Sequence, residues 1–123
     1  MVLVDTSIWI ALYRKREAAM GQKIWMLVAR NEAAVSGQIW VEFLGGFRDE
    51  SIRSGYEEKL RAYPFMETTR EAYELAARLL SAHPRLGAGD AIIAATAITS
   101  DALLWTAEGD FHALPPHGLR PYL

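Results

Sequence analysis

The stretch GAGDAIIAATA, from Gly87 to Ala97, decides the fold that this sequence predicts. From Asp90 onward it reads as a helix that is apolar on every side apart from one threonine, Thr96. A helix without a polar face has to be covered by the rest of the protein, so we expect it to be buried. An Asp at the start of a helix can accept hydrogen bonds from free backbone N–H groups. A carboxylate in so apolar a setting is also a candidate for a functional site.

The composition describes one soluble domain covering residues 1–123, since a chain of 123 residues with 51% hydrophobic residues fills one core. The absence of cysteine excludes disulfides, thiolate metal sites and cysteine nucleophiles, and it fits a reducing cytosol. No signal peptide is evident, and no apolar run approaches the roughly 18 residues of a membrane helix. We therefore expect a cytoplasmic protein that makes no membrane contact. The net charge of −2 gives no basic field for nucleic acid, although an enzyme that neutralises phosphate with bound metal does not need one.

Short apolar strands alternate with helices along the whole chain. The predicted strands are residues 1–4, 34–36, 65–67, 102–105 and 118–123, and the predicted helices are residues 7–15, 18–30, 39–47, 54–62, 69–83 and 90–99. This alternation predicts an α/β fold of three layers, in which helices flank both faces of a central, mostly parallel sheet. The four tryptophans are expected in its core: Trp9, Trp25, Trp40 and Trp105.

Acidic residues follow the predicted strands or lie close to their ends. Asp5 directly follows the first strand, and Glu42 lies one turn inside the third helix with apolar neighbours on every side. Asp90 begins the apolar helix, and Glu108 and Asp110 follow the fourth strand. The functional crevice of an open parallel sheet lies beyond the carboxyl ends of its strands. Each acid alone has a structural explanation as a cap or turn residue, but four separate segments converging on one edge favour a shared site.

Carboxylates gathered in this way raise one another's pKa, and a bound cation relieves the repulsion. Mg²⁺ and Mn²⁺ prefer oxygen ligands, usually one or two carboxylates with water and substrate phosphate. The only histidines are His83, His112 and His117, of which only His112 is near an acid in the sequence, and we expect it on the surface. A zinc site is therefore disfavoured. A metal held by carboxylates can activate water and stabilise the attacking and leaving oxygens of phosphodiester cleavage.

Four motifs, taken in order, resemble the PIN-domain family: LVDTS at residues 3–7, VEF at 41–43, GDAIIAATA at 89–97 and TAEGDF at 106–111. The length and the spacing of the motifs are most similar to the VapC-type toxins of prokaryotic toxin–antitoxin pairs. The resemblance covers nearly the whole chain, and it implies a Mg²⁺- or Mn²⁺-dependent endoribonuclease. It also implies that Asp5, Glu42 and Asp90 are the three core acids.

The fourth acid of the family corresponds to a segment that here offers two candidates. Glu108 takes the position of the family's Asp or Asn, and a Glu there departs from the pattern. Asp110 directly precedes the aromatic residue, and its shorter side chain holds a metal more rigidly. The resemblance therefore implies metal ligation by Asp5, Glu42, Asp90 and Asp110, with Glu108 as the alternative. Small hydroxyl residues that match the family's positions for orienting the acids or a metal-bound water are Thr6, Ser7 and Thr106.

Partners are implied by the resemblance as well. They are an RNA substrate, a second copy of the chain in a homodimer, and a VapB-type antitoxin that covers an apolar patch near the first four helices. Candidate phosphate contacts are Arg14, Lys15, Arg16, Arg48 and Arg53.

Other α/β folds with an acid after the first strand fit less well. A haloacid-dehalogenase-like phosphatase needs a second acid two residues after the first, where this chain has Ser7. A receiver domain needs adjacent acids near the first strand and a Lys after a late strand, but no Lys follows Lys59. Two alternative functions remain besides that of a toxin. One is a PIN nuclease that processes RNA without an antitoxin, and the other is a PIN module that has lost catalytic activity and acts in binding.

Overall fold

The computed structural model describes residues 1–14 and 18–123. Five strands form one sheet in the order β3-β2-β1-β4-β5, and every pair of neighbours is parallel. The strands are β1 (Val2–Val4), β2 (Ala33–Ser36), β3 (Phe65–Met66), β4 (Leu103–Trp105) and β5 (Arg120–Pro121). The three inner strands are short and carry almost only buried apolar residues, as expected where both faces of a sheet are covered.

Six helices flank this sheet: α1 (Thr6–Tyr13), α2 (Ala18–Ala29), α3 (Gly37–Leu44), α4 (Glu50–Arg61), α5 (Arg70–Ala82) and α6 (Ala88–Thr99). Crossovers between parallel strands are right-handed. The steps from β1 to β2 and on to β3 therefore place α1 to α4 on one face, and the return from β3 to β4 places α5 and α6 on the other. The predicted three-layer α/β/α fold is confirmed. None of the helices in the described ranges is long and apolar enough to cross a membrane.

The apolar stretch at residues 87–97 forms most of α6, and most of this helix is buried. Its one polar core residue, Thr96, is fully buried and donates a hydrogen bond of 2.7 Å to the carbonyl oxygen of Ile92. The Thr96 hydroxyl also lies 2.7 Å from that of Thr68. The helix begins at Ala88, so the prediction that Asp90 is its first residue is wrong by two positions. Asp90 is the third residue of the helix, and its side chain is left free for other contacts.

Other boundaries also differ from prediction, and helix α3 spans Gly37–Leu44 rather than residues 39–47. Helix α4 begins at Glu50 rather than at residue 54, because the side chain of Asp49 accepts a hydrogen bond of 3.0 Å from the backbone N–H of Ile52 and caps the helix. Strand β5 is limited to Arg120–Pro121 and does not span residues 118–123. Gly118 has φ of +100°, a left-handed conformation that turns the chain before the strand begins.

The tryptophans divide between core and surface. Trp9 and Trp105 are buried as predicted, and the Trp9 indole donates a hydrogen bond of 2.9 Å to the carbonyl oxygen of Val4. Trp40 is half-buried. Trp25 is 71% exposed, so its predicted place in the core is wrong. Helix α2 buries only Leu27 fully, Met20 and Ile24 are partly buried, and Trp25, Met26 and Val28 are exposed.

Ser36, at the end of β2, has a buried hydroxyl whose effect on stability can be tested. Its side chain is fully buried, and its hydroxyl has no hydrogen-bond partner among the described residues. A buried hydroxyl without a partner is destabilising. We expect Ser36→Ala to raise the free energy of unfolding by about 1 kcal/mol, measured by urea denaturation.

Thr96→Val is the matched control, because Thr96 is equally buried but fully bonded. It is expected to lower the free energy of unfolding by about 1 kcal/mol. Equal losses of stability in the two variants would show that the hydroxyl of Ser36 is also bonded.

Candidate active site at the carboxyl edge of the sheet

Asp5 lies at the carboxyl end of β1 and is only 2% exposed. This is the point where the chain connections diverge to opposite sides of the sheet, which is where open α/β sheets place their functional sites. The backbone N–H of Asp5 donates to the carbonyl oxygen of Trp105 at 2.9 Å. Its carboxylate Oδ2 accepts hydrogen bonds from the hydroxyls of Ser7, at 2.7 Å, and Thr106, at 2.8 Å. Asp5 precedes α1 but does not cap it with its side chain.

The hydroxyls of Ser7 and Thr106 also connect the loop after β4 to the start of α1. The hydroxyl of Ser7 lies 3.3 Å from that of Thr106 and accepts a hydrogen bond of 3.0 Å from the backbone N–H of Ala107. The hydroxyl of Thr106 accepts one of 2.9 Å from the backbone N–H of Glu108. This network fixes the carboxylate of Asp5 through one oxygen, and the described residues leave Oδ1 without a donor. Ser7 and Thr106 are two of the hydroxyl residues for which an orienting role is predicted, and the structure places both within hydrogen-bond distance of Asp5.

Glu42 lies on α3 with both carboxylate oxygens bonded. Oε1 accepts a hydrogen bond of 2.7 Å from the hydroxyl of Thr6, and Oε2 accepts one of 2.8 Å from the side-chain amide of Gln38. Thr6 is the third hydroxyl residue for which an orienting role is predicted, and it contacts Glu42. Gln38 was not predicted as a site residue. The available signal was its position four residues before Glu42, which places both side chains on one face of the helix.

Gly89 lets α6 approach Glu42 closely. A Cβ atom at this position would overlap Oε2 of Glu42 and lie 2.9 Å from Nε2 of Gln38. A Cβ at Gly87 would have no neighbour within 4 Å. Gly89 therefore makes room for a carboxylate, and Gly87 does not.

Asp90 is half-buried, and its pKa is raised from an ordinary value of 3.8 to about 6. Burial is the largest cause, followed by the negative charges of Asp5, Glu42, Glu108 and Asp110, in that order. All five predicted acids therefore lie close enough to act on one carboxyl group. The mutual repulsion is what a bound cation would relieve.

Glu108 and Asp110 are both exposed in the loop after β4. Asp110 belongs to a 3₁₀ turn, Gly109–Ala113, and Glu108 directly precedes it. Both raise the pKa of Asp90, so the structure brings both candidates for the fourth acid to the site. His112, in the same turn, is exposed, as predicted.

Metal binding can be tested against this set of donors. No group of three or more His, Cys, Asp or Glu side chains in residues 1–14 and 18–123 is arranged to hold a metal ion directly. Mg²⁺ needs no such cage, because it keeps several waters and uses one or two carboxylates. The available donors are carboxylate and hydroxyl oxygens, and the repulsion at Asp90 is unrelieved. The residues present therefore fit a hydrated hard cation and do not fit zinc.

A groove of about 370 Å³ extends from Glu42 between α1, α3 and the start of α4. It carries two of the predicted phosphate contacts, Arg14 and Arg48. Arg53 lies outside its lining and is paired with Glu57 at 3.0 Å and with Glu50 at 3.6 Å, so we no longer expect it to bind phosphate. The other two predicted contacts, Lys15 and Arg16, lie outside the described residues.

The raised pKa of Asp90 predicts a pH-dependent effect on stability. In the unfolded chain this carboxyl group ionises near pH 3.8, whereas in the metal-free folded protein it ionises near pH 6. Stability is therefore lost as the pH rises from about 4 to about 6, because the folded state holds a proton that the unfolded state has released. We expect Asp90→Asn to have a higher Tm than the wild type above pH 6 in EDTA, measured by differential scanning fluorimetry. The difference should shrink as the pH falls to 4, and a constant difference across this range would contradict the assignment to Asp90.

A family model of the PIN domain matches residues 2–115 of the chain. This match covers far more than half of the sequence, and the chain belongs to the PIN-domain family. Among curated proteins it is similar to "Ribonuclease VapC10" of Mycobacterium tuberculosis (strain CDC 1551 / Oshkosh), with 34% identity over 111 residues that cover 86% of this chain and 81% of that protein. The predicted resemblance to VapC-type PIN proteins is confirmed.

Solved structures share the fold along its whole length. VapBC2 from Rickettsia felis, bound to a DNA fragment from its promoter, aligns with a TM-score of 0.82 and 18% identity, covering 99% of this chain and 98% of that one. A toxin–antitoxin complex from Klebsiella pneumoniae aligns with a TM-score of 0.79 and 24% identity, covering 94% and 93%. VapC20 of Mycobacterium tuberculosis, a toxin that cleaves the sarcin–ricin loop, aligns with a TM-score of 0.70 and 22% identity, covering 98% and 100%. Because the sequence identities are below 25%, the similarity to these three structures shows a shared fold alone.

Proposed function

We propose that this protein is a metal-dependent endoribonuclease and the toxin of a VapBC-type pair. The observation that carries the proposal is the convergence of Asp5, Glu42, Glu108 and Asp110 on the carboxyl group of Asp90, at the carboxyl edge of a PIN-domain sheet. The 34% identity to a protein named as a ribonuclease supports the same activity.

The proposed cofactor is Mg²⁺ or Mn²⁺. Its ligands would come from Asp5, Glu42, Asp90 and Asp110, with Glu108 as the alternative fourth acid, one or two of them binding directly and the others through water. When bound, the cation supplies Lewis acidity at the scissile phosphate and lowers the pKa of water for attack. The requirement for a cation also explains how a chain with a net charge of −2 can act on a polyanion.

The residues around the acids hold them in position for this chemistry. Ser7 and Thr106 orient Asp5 through Oδ2, which leaves Oδ1 facing no donor among the described residues. Thr6 and Gln38 fix both oxygens of Glu42, so that this carboxylate does not have to be ordered when substrate arrives. Such supporting partners typically contribute about 10- to 100-fold to metal affinity or activity.

The substrate would enter along the groove that begins at Glu42. Arg14 and Arg48 are placed for contacts with backbone phosphates, and the exposed ring of Tyr13 lies 5.0 Å from that of Phe47 at the same groove. Cationic side chains beside aromatic rings suit single-stranded RNA, whose unstacked bases can pack on the rings.

The proposed partners are a second copy of the chain and a VapB-type antitoxin, acting in the cytoplasm. Support comes from the solved structures that share the fold, which include a toxin–antitoxin complex and a VapBC complex bound to promoter DNA. The surface near the first four helices exposes several large apolar residues, which is consistent with a protein partner. They are Ile10, Trp25, Met26, Val28, Val41 and Ile52.

Incubation of the purified protein with an RNA pool tests the activity. Aliquots labelled at the 5′ or the 3′ end are incubated with Mn²⁺, Mg²⁺ or EDTA. We expect discrete internal cuts with either metal and none in EDTA, restored when excess metal is added back. Cleavage at an equal rate in EDTA would contradict the metal-dependent mechanism, and progressive shortening from one end would contradict endonucleolytic cleavage.

A further inference from the structure

A second groove is lined in part by Asp110, one acid of the proposed site. Its volume is about 300 Å³, and it is lined by residues of the loop before α6 and of the 3₁₀ turn after β4, among them His83, Pro84, Arg85, Leu86, Asp110 and Ala113. Ligand cavities begin at about this size, which suits one nucleotide. The groove contains one acid of the proposed site, Asp110, and one arginine, Arg85.

Arg85 is held at the surface by an anchored turn. Leu86, the next residue, is only 2% exposed, and its backbone N–H donates to the carbonyl oxygen of His83 at 2.9 Å. Pro84 restricts the backbone on the other side of Arg85. The side chain of Arg85 is exposed and makes no salt bridge or hydrogen bond with any of the described residues, Asp110 included. Its guanidinium group is therefore free to bind an external anion.

One residue that lines this groove, His83, makes a long-range contact. The Nε2 atoms of His83 and His117 lie 2.9 Å apart, and their rings meet at an interplanar angle of 89°. This contact joins the end of α5 to the chain just before β5.

Each of the two grooves is lined by one carboxylate of the proposed metal site, Glu42 in the first and Asp110 in the second. An RNA chain bound at that site would therefore have one groove available on the Glu42 side and another on the Asp110 side. Arg14 and Arg48 line the first groove, and Arg85 provides a positively charged side chain in the second.

We propose that Arg85 binds a backbone phosphate of the RNA substrate next to the scissile one, on the Asp110 side of the site. This inference rests on the proposed ribonuclease function, and it extends the RNA path to a residue outside the PIN-domain motifs. Arginine suits the role because its planar guanidinium group binds phosphate through two hydrogen bonds.

The test compares Arg85→Ala with Arg70→Ala, in which another exposed arginine is removed at the start of α5. Cleavage of single-stranded RNA is measured with Mn²⁺ at several salt concentrations, and binding of a fluorescent RNA is measured by anisotropy in EDTA. Arg85→Ala is expected to lower kcat/KM and RNA affinity about tenfold. It should also reduce the slope of log affinity against log salt by about 1, because one phosphate contact is lost. Arg85→Lys should keep the slope and recover only part of the affinity.

The outcomes separate this inference from the function on which it rests. If the wild type cleaves RNA and Arg85→Ala matches Arg70→Ala in affinity and salt slope, the inference is wrong and the nuclease stands. If the wild type cleaves no RNA but Arg85→Ala still weakens RNA binding with the smaller slope, the nuclease proposal fails and the phosphate contact stands. A loss of affinity for an antitoxin alone, with RNA binding unchanged, would also overturn the inference.

Discussion

Asp5→Asn and Asp90→Asn are each expected to lower the rate of Mn²⁺-dependent RNA cleavage by at least about 100-fold. Asparagine keeps the size of the side chain but removes the negative charge that would hold a cation. Loss of a residue that only supports a metal ligand already lowers metal affinity or activity by about 10- to 100-fold, so loss of a ligand should cost more. The fold should survive, since Asn at position 5 can still accept hydrogen bonds from Ser7 and Thr106. Single-turnover cleavage of an end-labelled RNA measures the effect, with circular dichroism as the check on folding.

Asp101→Asn is the matched control. Asp101 lies between α6 and β4, at the opposite edge of the sheet from the site, and its side chain is 95% exposed. Its φ of 53° is in the left-handed region, which Asn tolerates. This variant should lose a surface ion pair with Arg120 and keep wild-type cleavage. Full activity in Asp5→Asn or Asp90→Asn would remove these acids from the catalytic centre.

Gly89→Ala is the second change with a large expected effect. The added Cβ would overlap Oε2 of Glu42 and crowd the amide of Gln38, so the carboxylate has to move away. Because this obstacle is the far end of a side chain, the backbone does not have to move, and we expect only a modest loss of Tm from the disturbed hydrogen bonds of Glu42. The displaced carboxylate should lower cleavage by about 10- to 100-fold, measured under single-turnover conditions at saturating Mn²⁺.

Gly87→Ala, two residues earlier, controls for the loss of backbone freedom. A Cβ at this position meets nothing within 4 Å, so cleavage should stay within about twofold of the wild type even if the change at the N-cap costs some stability. Equal losses of activity in both variants would show that loop flexibility, rather than room for Glu42, is what Gly89 provides.

The strands and the acids could be predicted from sequence because their signals are local. Short apolar runs ended at Asp5 and before Thr106, and parallel pairing then brought these ends together at one edge. The start of α4 was missed because the hydrogen bond from the Ile52 N–H to Asp49 depends on the backbone geometry of the loop. Trp25 was misplaced because a single tryptophan does not reveal which face of its helix is covered.

The fine structure of the site depends on contacts that sequence spacing does not encode. Ser7 and Thr106 are 99 positions apart, and their joint hold on Asp5 arises only when β1 and β4 pair. The close approach of Gly89 to Glu42 likewise joins two helices from opposite faces of the sheet. Arg85 lies in a loop with no motif, and only the folded chain places it beside Asp110.

Direct titration with Mn²⁺ tests the central claim, that acids from four segments form a metal-dependent nuclease centre. The fraction of free Mn²⁺ is followed by electron paramagnetic resonance in wild type, Asp5→Asn, Asp90→Asn and Asp101→Asn, and cleavage of one RNA is measured in the same samples. We expect wild type and Asp101→Asn to bind Mn²⁺, with cleavage rising as the site fills. Asp5→Asn and Asp90→Asn should lose both together. Unchanged Mn²⁺ binding in those two variants, or full cleavage without bound metal, would contradict a metal-dependent centre built from these acids.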